Sequence, residues 1–244
     1  MDTKKIAGLI EKFKEHHYTK FIKGKSVIIV GPNNNLKGKG LGSYIDRFDI
    51  IVRHNTVFDF LPFTQEYKKD YGSRTDILYL SPTCIKNYAH KRSTLETIKK
   101  NKIKYICYGN GNRHRKYLTG DYCFPIPLGW FKRFVPARTE TKLHYSHHVT
   151  ITLTEMMNKS GLSDKLLVPR TGFASILDMI VHGAKKIETV GMSFEKGGGH
   201  AFRKDAIKEM NPLLTHRGKD SPHDSNIEVY LAKEFTKEYP LKFS

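Results

Sequence analysis

No stretch of this chain approaches the roughly eighteen consecutive apolar residues of a membrane-crossing helix. Its start, MDTKKIAGLIEKFKEHH, lacks the apolar core of a signal peptide. Cysteine is scarce. Cys84, Cys107 and Cys123 share no metal-ligand spacing, and an odd number argues against a disulfide framework, so a reducing, cytoplasmic setting is expected. Internal repeats and low-complexity tracts are missing, as are a zinc finger, an aromatic RNA-binding motif and a helix-turn-helix. Neither a GxxxxGK[ST] phosphate loop nor a dinucleotide fingerprint appears, because GKGLGS spaces its glycines alternately and too far from the preceding strand. Acidic residues are in deficit, 24 against 42 Lys and Arg, for a formal charge of +18. That balance favours polyanions, whether nucleic acid, an anionic membrane surface or an anionic substrate. The lysines are dispersed from Lys4 to Lys242, which argues against nucleic acid and leaves peripheral membrane contact open.

What is present fits one α/β domain with a full core: 244 residues, 39% hydrophobic and 27% charged. Ile6, Leu9, Ile10 and Phe13 have helical spacing and mark a helical extension over residues 1–24. Val27–Val30, Ile50–Val52, Ile77–Leu80, Tyr105–Tyr108 and Ile187–Met192 read as buried strands. Helical stretches lie between them, at 94–101, from Thr150, over 173–182 and from His223 to about Tyr239. The alternation predicts a mostly parallel sheet flanked by helices. Arg113–Thr141, with Trp130 among prolines and basic residues, reads as a long loop or lid. His144 and His148 have the spacing of two helical metal ligands, but no acid joins them, so packed or solvated histidines are expected and no metal.

The chain is organised around residues 26–55. Val27–Val30 ends in Gly31-Pro32-Asn33-Asn34-Asn35, three glycines (Gly38, Gly40, Gly42) follow, and a second strand delivers Arg53 and Asn55. In open α/β sheets ligands sit outside the carboxyl ends of the strands. Two such ends bearing amides, glycines and an arginine suit a nucleotide or other phosphate-bearing ligand, although turns without ligands have similar composition.

In order along the chain, five pieces resemble the motifs of the animal-type sialyltransferases, glycosyltransferase family 29. Val30–Leu36, Ile45-Asp46 and Arg53-His54-Asn55 match the large motif, and Asp70–Thr75 its DVGSKT-like continuation. Pro169–Gly172, running through to Val190-Gly191, matches the small motif. His200-Ala201-Phe202 stands where the family has a histidine motif, and His223 with Glu228 meets HxxxxE. The chain's end also resembles the bacterial family 42 sialyltransferases. Departures are Pro32 for a motif asparagine, Arg170 for the PSTG serine, and Ser26 where the family has a cysteine that pairs with another near 181–184. These point to a soluble viral- or bacterial-like member.

The resemblance implies a single Rossmann-like, GT-A-like catalytic domain over 25–244. It implies inverting transfer of a sialic acid, or a related acid such as Kdo, from its CMP donor to a glycan or glycolipid hydroxyl. His223 would be the general base and His200 the group stabilising the departing phosphate. Gly31, Asn33, Asn34, Asn35, Arg53, Asn55, Arg170, Thr171 and Gly172 would hold the donor, with Glu228 and Ser73 in support. CMP is itself the leaving group, so no cofactor or metal is implied. The competing expectation is a non-catalytic, basic nucleic-acid- or membrane-surface-binding protein on a degenerate nucleotide fold.

Overall fold

The computed structural model describes residues 2–81, 84–85, 92–108, 140–161, 167–192 and 225–243. Apolar runs place the strands at the centre. β1 (Ser26–Val30), β2 (Ile50–His54), β3 (Ile77–Leu80), β4 (Tyr105–Tyr108), β5 (Lys142–Tyr145), β6 (Lys186–Val190) and β7 (Leu241–Phe243) form one sheet in the order β5-β4-β3-β2-β1-β6-β7. Every pairing is parallel, so the sheet is wholly rather than mostly parallel. Val27, Ile28 and Ile29 of β1 are each 0% exposed, and each such side chain stabilises the fold by about 1.5–3 kcal/mol.

Successive residues of a strand point to opposite faces, and helices cover both. On one face α1 (Thr3–Phe13), α2 (His17–Ile22), α6 (His147–Lys159), α7 (Thr171–Val181) and α8 (Ser225–Glu238) pack a core that includes Ile6, Tyr18, Ile29, Leu153, Leu177 and Phe235. On the other, α3 (Gly42–Ile45), the 3-10 segment Asn55–Phe60, α4 (Gln65–Tyr71) and α5 (Arg92–Lys100) cover Ile28, Ile51, Leu78 and Ile106.

The first residues form two helices instead of one. His16 begins α2, its Nδ1 accepting from Tyr18 N at 3.2 Å, and Ile10 of α1 is left 37% exposed while Ile6 and Leu9 are buried. β5 and β7, two short edge strands, were not expected. The chain winds from β1 outward to β5, then returns to the other side of β1 with β6. The reversal between β1 and β6 is where open α/β sheets place their ligands.

Candidate active site at the switch point

β1 and β6 end side by side. Gly31 N donates to Val190 O at 2.8 Å and Asn33 N to Gly191 O at 3.1 Å. A Cβ on Gly31 would stand 2.1 Å from Gly191 O, so only glycine permits this approach. Gly191 has φ +62, and a Cβ there would meet the Leu36 side chain at 2.6 Å. The loop is thereby pinned. Asn33 is buried, and its Oδ1 accepts from Asn35 N at 3.0 Å. Asn34 and Asn35 are exposed at the rim.

The second motif turn is welded onto this loop. Asp70 accepts from Gly38 N (2.7 Å) and Gly40 N (2.8 Å), which holds its carboxyl below the usual range. The close approach that these glycines allow is made to a neighbouring element of the chain, the Asp70 carboxylate. Tyr71 OH donates to Asn33 O at 3.1 Å. Ser73, expected in support, is exposed, and its N donates to both oxygens of Asp46 at 2.9 and 3.0 Å.

Arg53 corrects an expectation. It is 0% exposed; Nε donates to Arg74 O (3.0 Å) and Thr75 Oγ1 (3.1 Å), NH2 donates to Tyr71 O (2.5 Å), and the guanidinium lies 4.8 Å from the Phe63 ring centre. A guanidinium so enclosed ties β2 to the 71–75 turn and presents nothing to a donor at the surface. Burial lowers its pKa to about 9, against the raising influence of Asp46 and Asp76, so it stays charged at neutral pH. Asn55 is partly exposed just past β2, with φ +51, and its Oδ1 accepts from Ser81 N at 2.7 Å.

α7 opens at the same end of the sheet. Thr171 and Gly172 are partly exposed at its first turn, where unpaired N–H groups and the helix dipole favour an anion. Arg170, expected beside a phosphate, is drawn to Glu228: its N donates to Oε1 at 2.7 Å and NH1 to Oε2 at 3.1 Å. Glu228 is 1% exposed and so joins the start of α7 to α8. His200 and His223, like the proposed lid up to residue 139, lie outside the described residues.

Sequence reasoning missed the support beneath α7. Ser175 Oγ donates to Gly172 O at 2.7 Å, leaving His54 Nε2–H to donate to Ser175 Oγ at 2.9 Å. His54 is buried, and desolvation lowers its pKa to about 3. The signal was present in Ser175, Asp178 and His182, three polar residues at i, i+3 and i+7 in an apolar helix. The His144–His148 reading also changes: His144 is on β5 and His148 on α6, so they do not share a helix face.

The sequence model of glycosyltransferase family 29 (sialyltransferase) matches residues 3–177, ending within α7 before His200 and His223. No curated protein matches the chain. Among solved structures, the sialyltransferase CstII from Campylobacter jejuni, in complex with CMP-3FNeuAc, is 18% identical with a TM-score of 0.54, covering 90% of this chain and 80% of that one. The monofunctional α-2,3-sialyltransferase Cst-I of the same organism is 17% identical, TM-score 0.56, covering 90% and 74%. A mammalian sialyltransferase is 16% identical, TM-score 0.53, covering 98% and 78%. At these identities the likeness is one of fold.

Proposed function

Because the chain belongs to glycosyltransferase family 29, the sialyltransferases, we propose that it transfers a sialic acid from its CMP ester to a glycan hydroxyl with inversion. The observation carrying this reading is the convergence of three motif segments at one end of the sheet: the Gly31–Leu36 loop, Asn55, and the amino end of α7 at Thr171-Gly172. Asn35 and Asn55 are assigned to the nucleotide, and the first turn of α7 to the donor's anionic groups. His223 takes the acceptor proton and His200 donates to the departing phosphate. CMP leaves as a stabilised anion, so the transfer step asks for no metal. Among the described residues no helix is long and apolar enough to cross a membrane. Cys107, a buried free thiol, accords with a reducing, cytoplasmic setting.

Thermal unfolding with CMP, CMP-sialic acid, CMP-Kdo, UDP-sugars and NAD in parallel tests the donor class. A ligand that binds only the folded chain raises Tm by mass action, and the rise is expected with cytidine compounds alone. The larger effect of the two CMP-sugars names the donor to use for turnover. His223→Ala is then expected to abolish transfer while CMP still raises Tm; undiminished turnover would remove His223 from the base role. A chain unmoved by every nucleotide, yet captured by anionic vesicles in a salt-sensitive way, would favour the surface-binding alternative.

A further inference from the structure

A polar layer lies between α7 and the sheet, about two turns along the helix from Thr171. Register places His54, Tyr79, Cys107 and His144 side by side across β2 to β5, opposite Ser175, Asp178 and His182 of α7. The first part of this row supports Gly172. The rest converges on Asp178.

The protons there can be assigned. Tyr79 OH donates to Asp178 Oδ2, so the 3.0 Å contact between Tyr18 and Tyr79 has Tyr18 OH as donor, and Cys107 donates to Tyr18 at 3.3 Å. Thr19 Oγ1 lies 2.6 Å from both Phe13 O and His182 Nδ1. A carbonyl only accepts, so the single hydroxyl proton goes to Phe13, and Thr19 accepts from His182 Nδ1–H. The remaining nitrogen of that ring, Nε2, is buried, makes no hydrogen bond, and stands 3.3 Å from Asp178 Oδ1. In a neutral ring Nε2 is a lone pair pressed against a carboxylate where no water reaches. Either a proton on Nε2, shared with the carboxylate, or a metal ion would fill that gap.

We propose that His144, Asp178 and His182 bind a divalent transition-metal ion of the zinc class. Their donor atoms, one from each residue, lie within 4.8 Å of one another. His144 Nε2 is 3.1 Å and His182 Nε2 3.3 Å from the carboxylate oxygens, near the ~3.3 Å edge of a tetrahedron with bonds of about 2.0–2.1 Å. Two imidazoles and a carboxylate suit zinc, and a carboxylate binding through both oxygens brings the set to four donors. The residues are 2%, 0% and 1% exposed, which makes this a closed, structural site rather than a catalytic one. Supporting contacts are in place for two of the three ligands: Thr19 fixes the His182 tautomer and Tyr79 holds Asp178. His144 is held instead by the Tyr18 ring, stacked with centroids 3.7 Å apart, and its buried Nδ1 makes no hydrogen bond. An acid does join His144, but from α7 and not from its own neighbourhood in sequence.

The test uses the full chain, stripped with a chelator, loaded with Zn2+ or Co2+, and passed through gel filtration before elemental analysis. One ion per chain is expected, with a higher Tm and, for Co2+, the visible absorption bands of a four-coordinate site. His144→Gln and His182→Gln should each lose the ion, while His147→Gln, at an exposed position on α6, should keep it. Thr19→Val should weaken zinc binding about 10–100-fold. A wild-type chain that emerges without metal, or a His182→Gln variant that retains as much as wild type, overturns the proposal. So does nitrogen NMR showing a doubly protonated His182 ring after zinc loading, since a proton then fills the gap. Should the variants fail to fold, the wild-type cobalt spectrum decides the matter alone.

Discussion

Each face of the sheet buries a full charge. Beneath α4 and the 71–75 turn, Arg53 directs its guanidinium at Tyr71 O, Arg74 O and the Thr75 hydroxyl. Beneath α7, Asp178 collects Tyr79, His144 and His182. Burial alone would raise the Asp178 pKa, but the two histidines outweigh it and hold the carboxyl well below its usual range. The partners differ in kind. Two of those around Arg53 are backbone carbonyls and the third is a hydroxyl; those around Asp178 include two imidazoles, side chains able to hold a proton or a metal ion. One face is therefore locked by groups fixed in charge, and the other by groups whose state depends on protons or metal. The fixed lock holds the 71–75 turn against β2, whereas the variable one lies under the helix whose first turn is proposed to meet the donor.

The largest effect should come from the fixed lock. Arg53→Leu strips the donors from the buried Tyr71 carbonyl, the part-buried Arg74 carbonyl and a buried hydroxyl, and leaves part of its volume empty. A loss of about 3–5 kcal/mol is expected, measured by urea unfolding. Because no partner titrates, the loss should be the same at pH 5.5 and pH 8. A loss that shrinks markedly at either pH would show that Arg53 is coupled to a titrating group, and would erase the contrast between the faces.

How much of this was legible follows the same division. β1, β2, β3, β4 and β6 stood out because they are buried on both faces and read as continuous apolar runs. β5, Lys142-Leu143-His144-Tyr145, and β7 were missed because they are short edge strands with charged or polar residues between the apolar ones. The motif segments did converge on one place, but their inner roles were hidden. Arg53 looked like a ligand contact because arginine is rarely buried whole; only the fold reveals the carbonyls that enclose it. The partner of Gly38 and Gly40 is Asp70, some thirty positions on, and no local pattern announces it. Asp178 sits inside an apolar run whose length suggested nothing but core.

The variable face should yield a smaller, pH-dependent effect through His54. Its folded pKa is lowered to about 3 by burial, while the unfolded chain titrates near 6.5. Between those values the unfolded state binds more protons, so stability rises with pH there. The contribution is complete above about pH 6.5 and is lost as pH falls through the window toward 3. At pH 5 this one residue should cost about 2 kcal/mol relative to neutral pH. Urea unfolding from pH 7.5 to 4.5 should show the decline, with a shallower slope in His54→Gln. An unchanged slope in that variant would move the pH dependence to other groups.

The smallest effect should be at the rim, where Arg170 meets Glu228. The Arg170 side chain is 36% exposed and its partner only 1%, so solvent competes on one side of the pair. Glu228→Gln keeps an oxygen for the Arg170 N–H and removes the charge, and about 1 kcal/mol of stability is expected to go. The consequence for catalysis should exceed that for folding. Glu228 joins the start of α7 to α8, five residues after His223 in sequence, so loosening it moves the proposed donor-binding turn against the segment proposed to carry the base. A higher KM for the CMP donor together with a lower kcat is expected in steady-state assays, with Tm lower by only about 2–4 °C. If Tm falls by the amount a buried pair would cost while both kinetic constants hold, Glu228 serves the core alone, and the rim behaves as the interior does.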